Sequence, residues 1–316
     1  MKFNGLIAKS IRLTALASLL LCLAQCAVAD QLAYVVYGSQ QFGTIDLNTG
    51  TLTYGPTPPT GGTLGYFGLA PGLNGSLLTF LYNGDVDSIN PATGIASLLG
   101  PSGLGDCSIP GVSPCPPNSA FTLGGLAGKI YATDFQNSLY LVNRGTAAAT
   151  LVAHSVIPAI PFIPGSQNPD GTLNFADEAI WGTGAKLYAT FDAWIFNPNT
   201  GQNVQTVIAP ALYRIDPTTG LATMVGPTAL GIGAVVDVNG TYYAFDDATS
   251  QILSLDLSNG NTSFLSNCDA CVTSLFGVIQ GASPVPEPAS LALIVAGANA
   301  ILLIKRRTAV LSRFRR

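Results

Sequence analysis

Charged residues are scarce in this chain: 9% of its 316 residues are Asp, Glu, Lys or Arg, against about 25% in ordinary globular domains. Basic residues are rarer still away from the termini, because nine of the 13 Lys and Arg lie before residue 13 or after residue 304. Residues 30–283 hold four basic side chains against sixteen acidic ones, twelve net negative charges. Such a surface repels nucleic acid and anionic lipid, so we expect neither as a partner.

Catalytic signatures are also missing. His154 is the only histidine, and no nucleophile-elbow sequence accompanies it, which disfavours a Ser-His-Asp hydrolase. No glycine-rich loop follows a strand and opens a helix, so no phosphate-binding loop is predicted. We expect His154 to lie in a surface loop.

The first 29 residues have the layout of a secretory signal peptide. Lys2, Lys9 and Arg12 precede an apolar run, Leu13 to Leu23, and Ala27-Val28-Ala29 follows as a small-residue cleavage site. We therefore expect an N-terminal signal helix, cleavage by signal peptidase and a mature chain that starts at Asp30.

The last 33 residues, Pro284 to Arg316, combine a proline-rich spacer, a short apolar segment and a basic cluster. The spacer contains Pro286-Glu287-Pro288, the apolar run extends from Leu291 to Ile304, and Lys305-Arg306-Arg307 follow. With two small residues before it, the run would form a helix of about 24 Å against a hydrocarbon core of about 30 Å. The sequence predicts a marginal transmembrane helix, suited to a transient anchor, with its basic end in the cytoplasm.

These three parts, in this order, resemble the PEP-CTERM sorting signal of envelope-bearing bacteria. The resemblance covers about a tenth of the chain, and the chain departs from the pattern in its extra basic tail, Thr308 to Arg316. It implies that an exosortase processes an inner-membrane-anchored intermediate. The implied destination is the cell envelope, cell surface or extracellular matrix, with exopolysaccharide or envelope proteins as partners. It implies nothing about the task of the body.

Four of the six cysteines remain after removal of the signal peptide: Cys107, Cys115, Cys268 and Cys271. An even number in an oxidising compartment favours disulfides, and local pairing of the first two and of the last two is the simplest connectivity. A redox role for Cys268 and Cys271 is disfavoured because their neighbours predict a turn rather than a helix N-terminus. A zinc site is disfavoured because only one C-x-x-C is present.

The body repeats a β-hairpin. Each copy has a strand end, a turn started by Asp, Asn or Pro, and a glycine suited to positive φ. The copies are Thr44 to Gly50, Ser88 to Gly94, Arg214 to Gly220, Ser254 to Gly260, and a degraded one at Leu141 to Gly145. Before each hairpin lies a glycine-rich strand and then an aromatic strand, as in Leu126 to Thr133 and Ala185 to Thr190.

Four strands per unit of about 50 residues predict an all-β fold, a five-bladed β-propeller. Six blades are the alternative, because the fourth unit contains an extra turn, Asn197 to Gly201, which we interpret as a lengthened hairpin. Residues Ser274 to Gly281 resemble the inner strands, and the first unit, from Leu32 to Gly55, lacks one. We therefore expect the last strand to complete the first blade and close the ring.

Acidic residues near the inner strands are the candidate catalytic groups. Asp177 and Glu178 lie just before the predicted inner strand of the fourth unit, and Asp237 lies near that of the fifth. Glycosidases need two carboxylates about 5–10 Å apart. The more conservative interpretation is that these acids line the rim of the channel.

Calcium is the only metal that the sequence favours, and no other cofactor is predicted. Asp85 and Asp87 place two carboxylates on one side of a strand or loop, and Asp246 and Asp247 form a second pair. A complete D-x-D-x-D-G loop is absent.

The sequence thus predicts three parts: a signal peptide at 1–29, a propeller body at 30–283 and a sorting tail at 284–316. The predicted function is that of an exported envelope or matrix protein that acts by binding or as a structural component, without catalysis. The alternative is a carbohydrate-active hydrolase that uses the acids of the channel.

Overall fold

The computed structural model describes residues 31–37, 41–55, 66–81, 83–105, 120–154, 156–157, 167–229, 231–268 and 279–285. The predicted signal and tail helices lie outside these ranges. Within the ranges, no helix is long and apolar enough to cross a membrane.

The described residues form five antiparallel sheets of four strands each. Blade 1 contains β20, β1, β2 and β3, and each later blade contains four consecutive strands, from β4–β7 to β16–β19. The strands are β1 Leu32–Tyr37, β2 Gln41–Asp46, β3 Leu52–Tyr54, β4 Tyr66–Pro71, β5 Leu77–Leu81, β6 Asp85–Ile89, β7 Ala96–Pro101, β8 Ala120–Leu126, β9 Lys129–Asp134, β10 Leu139–Val142, β11 Ala149–Ala153, β12 Leu173–Thr183, β13 Lys186–Asn197, β14 Gln202–Ile215, β15 Ala222–Pro227, β16 Ile232–Val238, β17 Thr241–Asp246, β18 Gln251–Leu255, β19 Thr262–Asn267 and β20 Ile279–Pro284.

The ring closes as predicted. The inner strands β4, β8, β12, β16 and β20 adjoin one another in that order, and β20 adjoins β4 again. Strand β20 pairs antiparallel with β1, with Val35 opposite Ala282. The described part of the closing strand is Ile279–Pro284, so it continues past the expected end at Gly281, and Pro284 belongs to the propeller rather than to the tail. The expected strand start, residues 274–278, lies outside the described ranges. The five-bladed prediction is confirmed.

The fourth blade has the lengthened hairpin. Strands β13 and β14 continue as one ladder to Asn197 and Gln202, and a turn over residues 198–201 joins them. The extra turn is therefore the tip of a long hairpin and does not begin a sixth blade. Strand β12 is longer than the other inner strands, since it begins at Leu173, opposite Phe196, five residues before Glu178. This strand and the long hairpin therefore extend past the start of the other inner strands.

The hydrophobic core lies between neighbouring blades. One cluster joins Val35 of blade 1 to Val236 and Phe245 of blade 5. Another joins Phe80 of blade 2 to Leu123 of blade 3. Each fully buried side chain of this size contributes about 1.5–3 kcal/mol, so every blade depends on both of its neighbours.

Glycine lets the inner strands approach one another. A Cβ at Gly124 of β8 would overlap the carbonyl oxygen of Ile180 in β12. The inner strands therefore contact through backbone, and the channel is narrow where they meet.

The two ends of the channel differ in the parts of the blades that form them. We call the end at which inner strands begin the entrance; the second strand of each blade ends there. We call the opposite end the exit, where a short turn joins the first and second strands, as at Ala127 and Gly128. Both terms refer to the two inner strands of each blade and the residues that contact them.

Candidate functional site

Carboxylates gather at the entrance. Asp177 and Glu178 lie within the inner strand β12, not before it as the sequence suggested. The second strands end in further acids: Asp134 in β9, and Asp246 followed by Asp247 after β17. Asp192 lies in β13, directly opposite Asp177.

Strand geometry separates Asp177 from Glu178. Successive side chains of a strand point to opposite faces, so these two face different blades. The Asp177 carboxylate lies near those of Asp192, Asp246 and Asp247. The Glu178 carboxylate faces Thr133 and Asp134 of blade 3. The two predicted catalytic acids therefore do not form a facing pair.

The group around Asp177 is electrostatically crowded. Burial, followed by the carboxylates of Asp247, Asp192 and Asp246, raises the pKa of Asp177 well above its ordinary value. Burial, opposed by the Gly231 amide and reinforced by Asp247 and Asp246, raises the pKa of Asp192 to about 7. Burial and the Asp246 carboxylate raise the pKa of Asp247 to about 6. Carboxylates that repel one another in a poorly solvated space favour bound protons or a bound cation.

Backbone amides stabilise part of this group. The Gly231 N–H donates to Asp192 Oδ2 at 3.3 Å, and the Thr249 N–H donates to Asp246 Oδ1 at 3.0 Å. The buried Asp177 Oδ2 has no hydrogen-bond partner. The group is thus only partly satisfied by the described chain.

Glu178 is the most isolated acid of the site. It is 5% exposed, and neither carboxylate oxygen has a hydrogen-bond partner. Burial raises the pKa of Glu178 to about 8, although the facing Thr133 hydroxyl lowers it and Asp134 raises it further. The Thr133 hydroxyl itself makes no hydrogen bond of standard geometry. Glu178 is therefore mostly protonated at neutral pH.

Asp134 is satisfied by its own loop. Its Oδ1 accepts the Gln136 and Ser138 amides, each at 2.8 Å. Its Oδ2 accepts the Tyr140 hydroxyl at 2.9 Å. Burial still raises its pKa.

Asp237, the third predicted catalytic acid, lies at the exit. Its Oδ2 accepts the Thr183 hydroxyl at 3.0 Å, and its Oδ1 accepts the Gly240 amide at 2.9 Å. Thr183 is six residues beyond Asp177 on β12, about 20 Å of extended strand. Asp237 therefore stabilises a turn, too far from Asp177 to act with it.

The two predicted calcium pairs lie in different blades. Asp85 and Asp87 are in β6 of blade 2, whereas Asp246 and Asp247 follow β17 of blade 5. Asp85 accepts a 2.7 Å hydrogen bond from Asn83, and Asp87 is buried. Across the described residues, no three His, Cys, Asp or Glu side chains are arranged to hold a metal ion. The four residues thus do not form one site.

The sequence reasoning missed Asp134 and Asp192. A signal for both was present, because the sequences Y-A-T-D, Y-A-T-F-D and Y-A-F-D-D recur along the second strands of blades 3, 4 and 5. Aligning the repeats at this tyrosine places an acid at the entrance end of three consecutive blades.

Basic residues lie at the other end of the channel. Lys129 and Lys186 begin the second strands β9 and β13. Arg214 pairs with Tyr188, two residues from Lys186. Arg144 donates to the carbonyl oxygens of Gly128 and Gly72, which lie in inner turns of blades 3 and 2. All four cations of residues 30–283 are thus at the exit.

A groove of about 640 Å³ lies between blades 2 and 3 beside the exit turns. Serine, threonine and asparagine line it together with leucine, isoleucine and Arg144, and its lining contains no carboxylate. Ser88, Asn90 and Thr93 are among its polar residues.

Three further sequence predictions concern His154, the cysteines and the sorting motif. His154 is exposed and lies 3.3 Å from the Ser138 hydroxyl, which confirms a surface loop. Cys268 is buried, and the other three cysteines lie outside the described residues. The disulfide pairing stays a prediction. The sorting motif, Pro286 to Pro288 with Lys305 to Arg307, also lies outside the described residues.

Comparison with known proteins gives similarity of fold only. No family model matches the chain, and no curated protein matches it in sequence. A chain of a nidogen–laminin complex is similar over 81% of this chain and 98% of its own, at 10% identity and a TM-score of 0.45. A calcium-binding protein, regucalcin, from Agrobacterium tumefaciens is similar over 82% of this chain and 76% of its own, at 14% identity and a TM-score of 0.42. Similarity this low transfers no function to this chain.

Proposed function

We propose that this protein is exported to the bacterial envelope or matrix and acts there by binding, without catalysis. One observation carries the proposal: the three acids that the sequence offered as catalytic groups are separated by the fold. Asp177 and Glu178 face different blades, and Asp237 lies at the far end of the channel. The rigid ring then serves to present surfaces rather than to hold a catalytic pair.

The proposed partner is an exopolysaccharide, and the proposed contact surface is the groove between blades 2 and 3. Hydroxyl and amide groups beside apolar side chains suit sugar rings, which present both polar edges and C–H faces. The groove also lies at the exit, where the basic residues are, so acidic polysaccharides meet less repulsion there than at the entrance.

Blocking the groove tests this role. Thr93 lies in its lining, and Thr219 occupies the equivalent turn of blade 4, where its hydroxyl likewise accepts the second amide after it, that of Leu221. We expect Thr93→Trp to weaken binding of exopolysaccharide from the producing bacterium at least tenfold by calorimetry, and Thr219→Trp to leave it unchanged. Equal affinity of both variants and the unmodified protein would exclude the groove.

The sorting role is tested by truncation after Val285, which removes the tail but keeps the closing strand β20. We propose that exosortase recognises Pro286-Glu287-Pro288 and the basic cluster, and that the truncated protein is therefore released without membrane retention. Cell fractionation measures the outcome. A truncated protein that still follows the unmodified one to the envelope would contradict this role.

A carbohydrate-active hydrolase is the second candidate, favoured by the three carboxyl groups of Asp192, Asp246 and Asp247 gathered around Asp177. It predicts release of reducing sugar from exopolysaccharide by the unmodified protein. It also predicts loss of that release, by about a hundredfold or more, in Asp177→Asn. Absence of reducing-sugar release would exclude it.

A further inference from the structure

The turn between the third and fourth strands of each blade begins with aspartate or asparagine. The residue is aspartate in blades 1, 4 and 5 and asparagine in blades 2 and 3: Asp46, Asn90, Asn143, Asp216 and Asp256. In every copy its Oδ1 accepts the amide two residues later, at 2.8–3.0 Å. The two blades that lack the carboxylate are therefore the two that form the groove of about 640 Å³.

The turn itself does not require asparagine. A carboxylate accepts amide hydrogens more strongly than a side-chain amide oxygen does, and the Thr218 and Thr219 amides lower the pKa of Asp216. An aspartate in this turn is therefore ionised and well stabilised. Asparagine at Asn90 and Asn143 keeps the turn but removes two negative charges from the surroundings of the groove.

Arg144 adds a positive charge to the same groove. It directly follows Asn143 and is the only charged residue in the described lining. Its guanidinium donates to the carbonyl oxygens of Gly128 and Gly72, and its buried Nε has no hydrogen-bond partner. These two carbonyl groups are neutral, so they hold the guanidinium in place without balancing its charge.

We infer that the groove binds the acidic groups of a polysaccharide, with Arg144 as the contact for a carboxylate or sulfate of the sugar chain. The inference rests on the sugar-binding role proposed above and names the class of sugar. Arginine pairs well with both groups because its planar guanidinium matches their oxygens. Exposed Leu73 and Ile95 in the lining suit the C–H faces of the sugar rings.

Calorimetry of the full chain in mild detergent tests the preference for charge. Polygalacturonate and its methyl ester share one backbone, and the ester lacks the negative charge. Dextran sulfate and dextran form the corresponding pair for sulfate. We expect at least one acidic polymer to bind about tenfold or more tightly than its neutral partner, and the pair that shows the preference identifies the acidic group.

Asn90→Asp places a carboxylate in the groove while keeping the turn. It should weaken binding of the preferred acidic polymer by about threefold to tenfold. The difference should shrink in 1 M sodium chloride, where the screening length is about 3 Å. Asn197→Asp is the matched control, because Asn197 accepts the Asn199 amide in the same way but lies at the tip of the long hairpin, at the entrance. Binding should be unchanged in this control.

Two variants of Arg144 separate its charge from its structural role. Arg144→Gln and Arg144→Lys both lose the paired bonds to Gly128 and Gly72, but only the first loses the charge. We expect affinity for the acidic polymer to fall about tenfold in Arg144→Gln and about threefold in Arg144→Lys. Thermal unfolding shows whether both variants fold, and Asn90→Asp decides the matter if they do not.

The inference and the proposed function fail in different ways. Absence of binding to both acidic polymers, equal affinity for charged and neutral polymers, or unchanged affinity in Asn90→Asp would overturn the inference. The proposed function survives these results if exopolysaccharide from the producing bacterium still binds and Thr93→Trp still weakens that binding. Absence of exopolysaccharide binding would instead contradict the proposed function, while the polymer pairs still decide the preference for charge.

Discussion

Individual glycines at the outer turns hold neighbouring blades in contact. Gly50 has φ 72°, in the left-handed region, and a Cβ there would overlap the carbonyl oxygen of Asn267 at the end of β19. The sequence predicted positive φ at the glycine of each turn, and Gly50, Gly94, Gly220 and Gly260 confirm it. In the degraded copy the prediction was wrong, because Ala147 with φ 68°, and not Gly145, takes this conformation. The sequence did not predict the contact with the neighbouring blade, because a repeat alignment shows turns but not their packing.

The first prediction separates backbone strain from packing. Gly50→Ala should destabilise the protein by about 2–5 kcal/mol, because left-handed strain and overlap with Asn267 add together. Gly201→Ala should cost only about 1–2 kcal/mol, because Gly201 has φ 66° but nothing near its missing Cβ. Denaturant unfolding measures both. Equal losses would mean that the contact with blade 5 is not tight.

The second prediction concerns Asp87 and pH. Burial, with a smaller effect of Asp85, raises the pKa of Asp87 to about 6, above the unfolded value of about 3.9. The folded state therefore binds the proton more tightly, and its stability falls as pH rises from about 4 through 6. Asp87→Asn lacks this loss, so its Tm relative to the unmodified protein should rise across that window and level off above it. A difference that does not change with pH would contradict the assignment.

The outer strands of blades 2 to 5 share one irregularity. In each, two residues stand opposite one: Leu99, Val152, Val225 and Leu265 are skipped in the pairing of β7, β11, β15 and β19. The residue before each bulge is apolar and exposed: Leu98, Leu151, Met224 and Phe264. Bulges distort an edge strand and hinder its pairing with another chain. They therefore protect four open edges that carry exposed apolar side chains.

The third prediction tests this protection. Deleting Val225 would let Gly226 follow Met224 in regular pairing with β14, which straightens the edge of blade 4. We expect faster aggregation than in Val225→Ala, which keeps the bulge, as measured by thioflavin fluorescence at equal concentration. If the two variants aggregate equally fast, the bulge does not protect the edge.

At the scale of strands and turns, the sequence predicted most of the architecture. The turn repeats located the hairpins and identified Asn197 to Gly201 as the tip of a long one. The bulges could not be predicted, since leucine and valine there look like ordinary alternating strand residues. The closing strand continues to Pro284, three residues past its predicted end at Gly281, because pairing with β1 keeps Ala282 and Ser283 in the sheet.

Acidic residues lie at the entrance of the channel and basic residues lie at its exit. The sequence predicted this separation of charge only in part. The sequence singled out Asp177, Glu178, Asp246 and Asp247, but it could not show that Asp177 faces blade 5 and Glu178 faces blade 3. The blade that each carboxylate faces depends on strand register, and a slip of one residue would exchange the two faces. Nor could it show that Asp237 lies some 20 Å away at the exit.

Closure of the ring by β20 is the claim on which the other claims depend, since it fixes β1, β16 and β4 around one channel. Native-state hydrogen exchange of the β1 amides, Leu32 to Tyr37, tests it most directly. We predict that these amides are protected as strongly as those of β5 and β9, because β1 pairs with β2 on one side and β20 on the other. Exchange at the rate of an open edge strand would contradict the closed five-bladed ring.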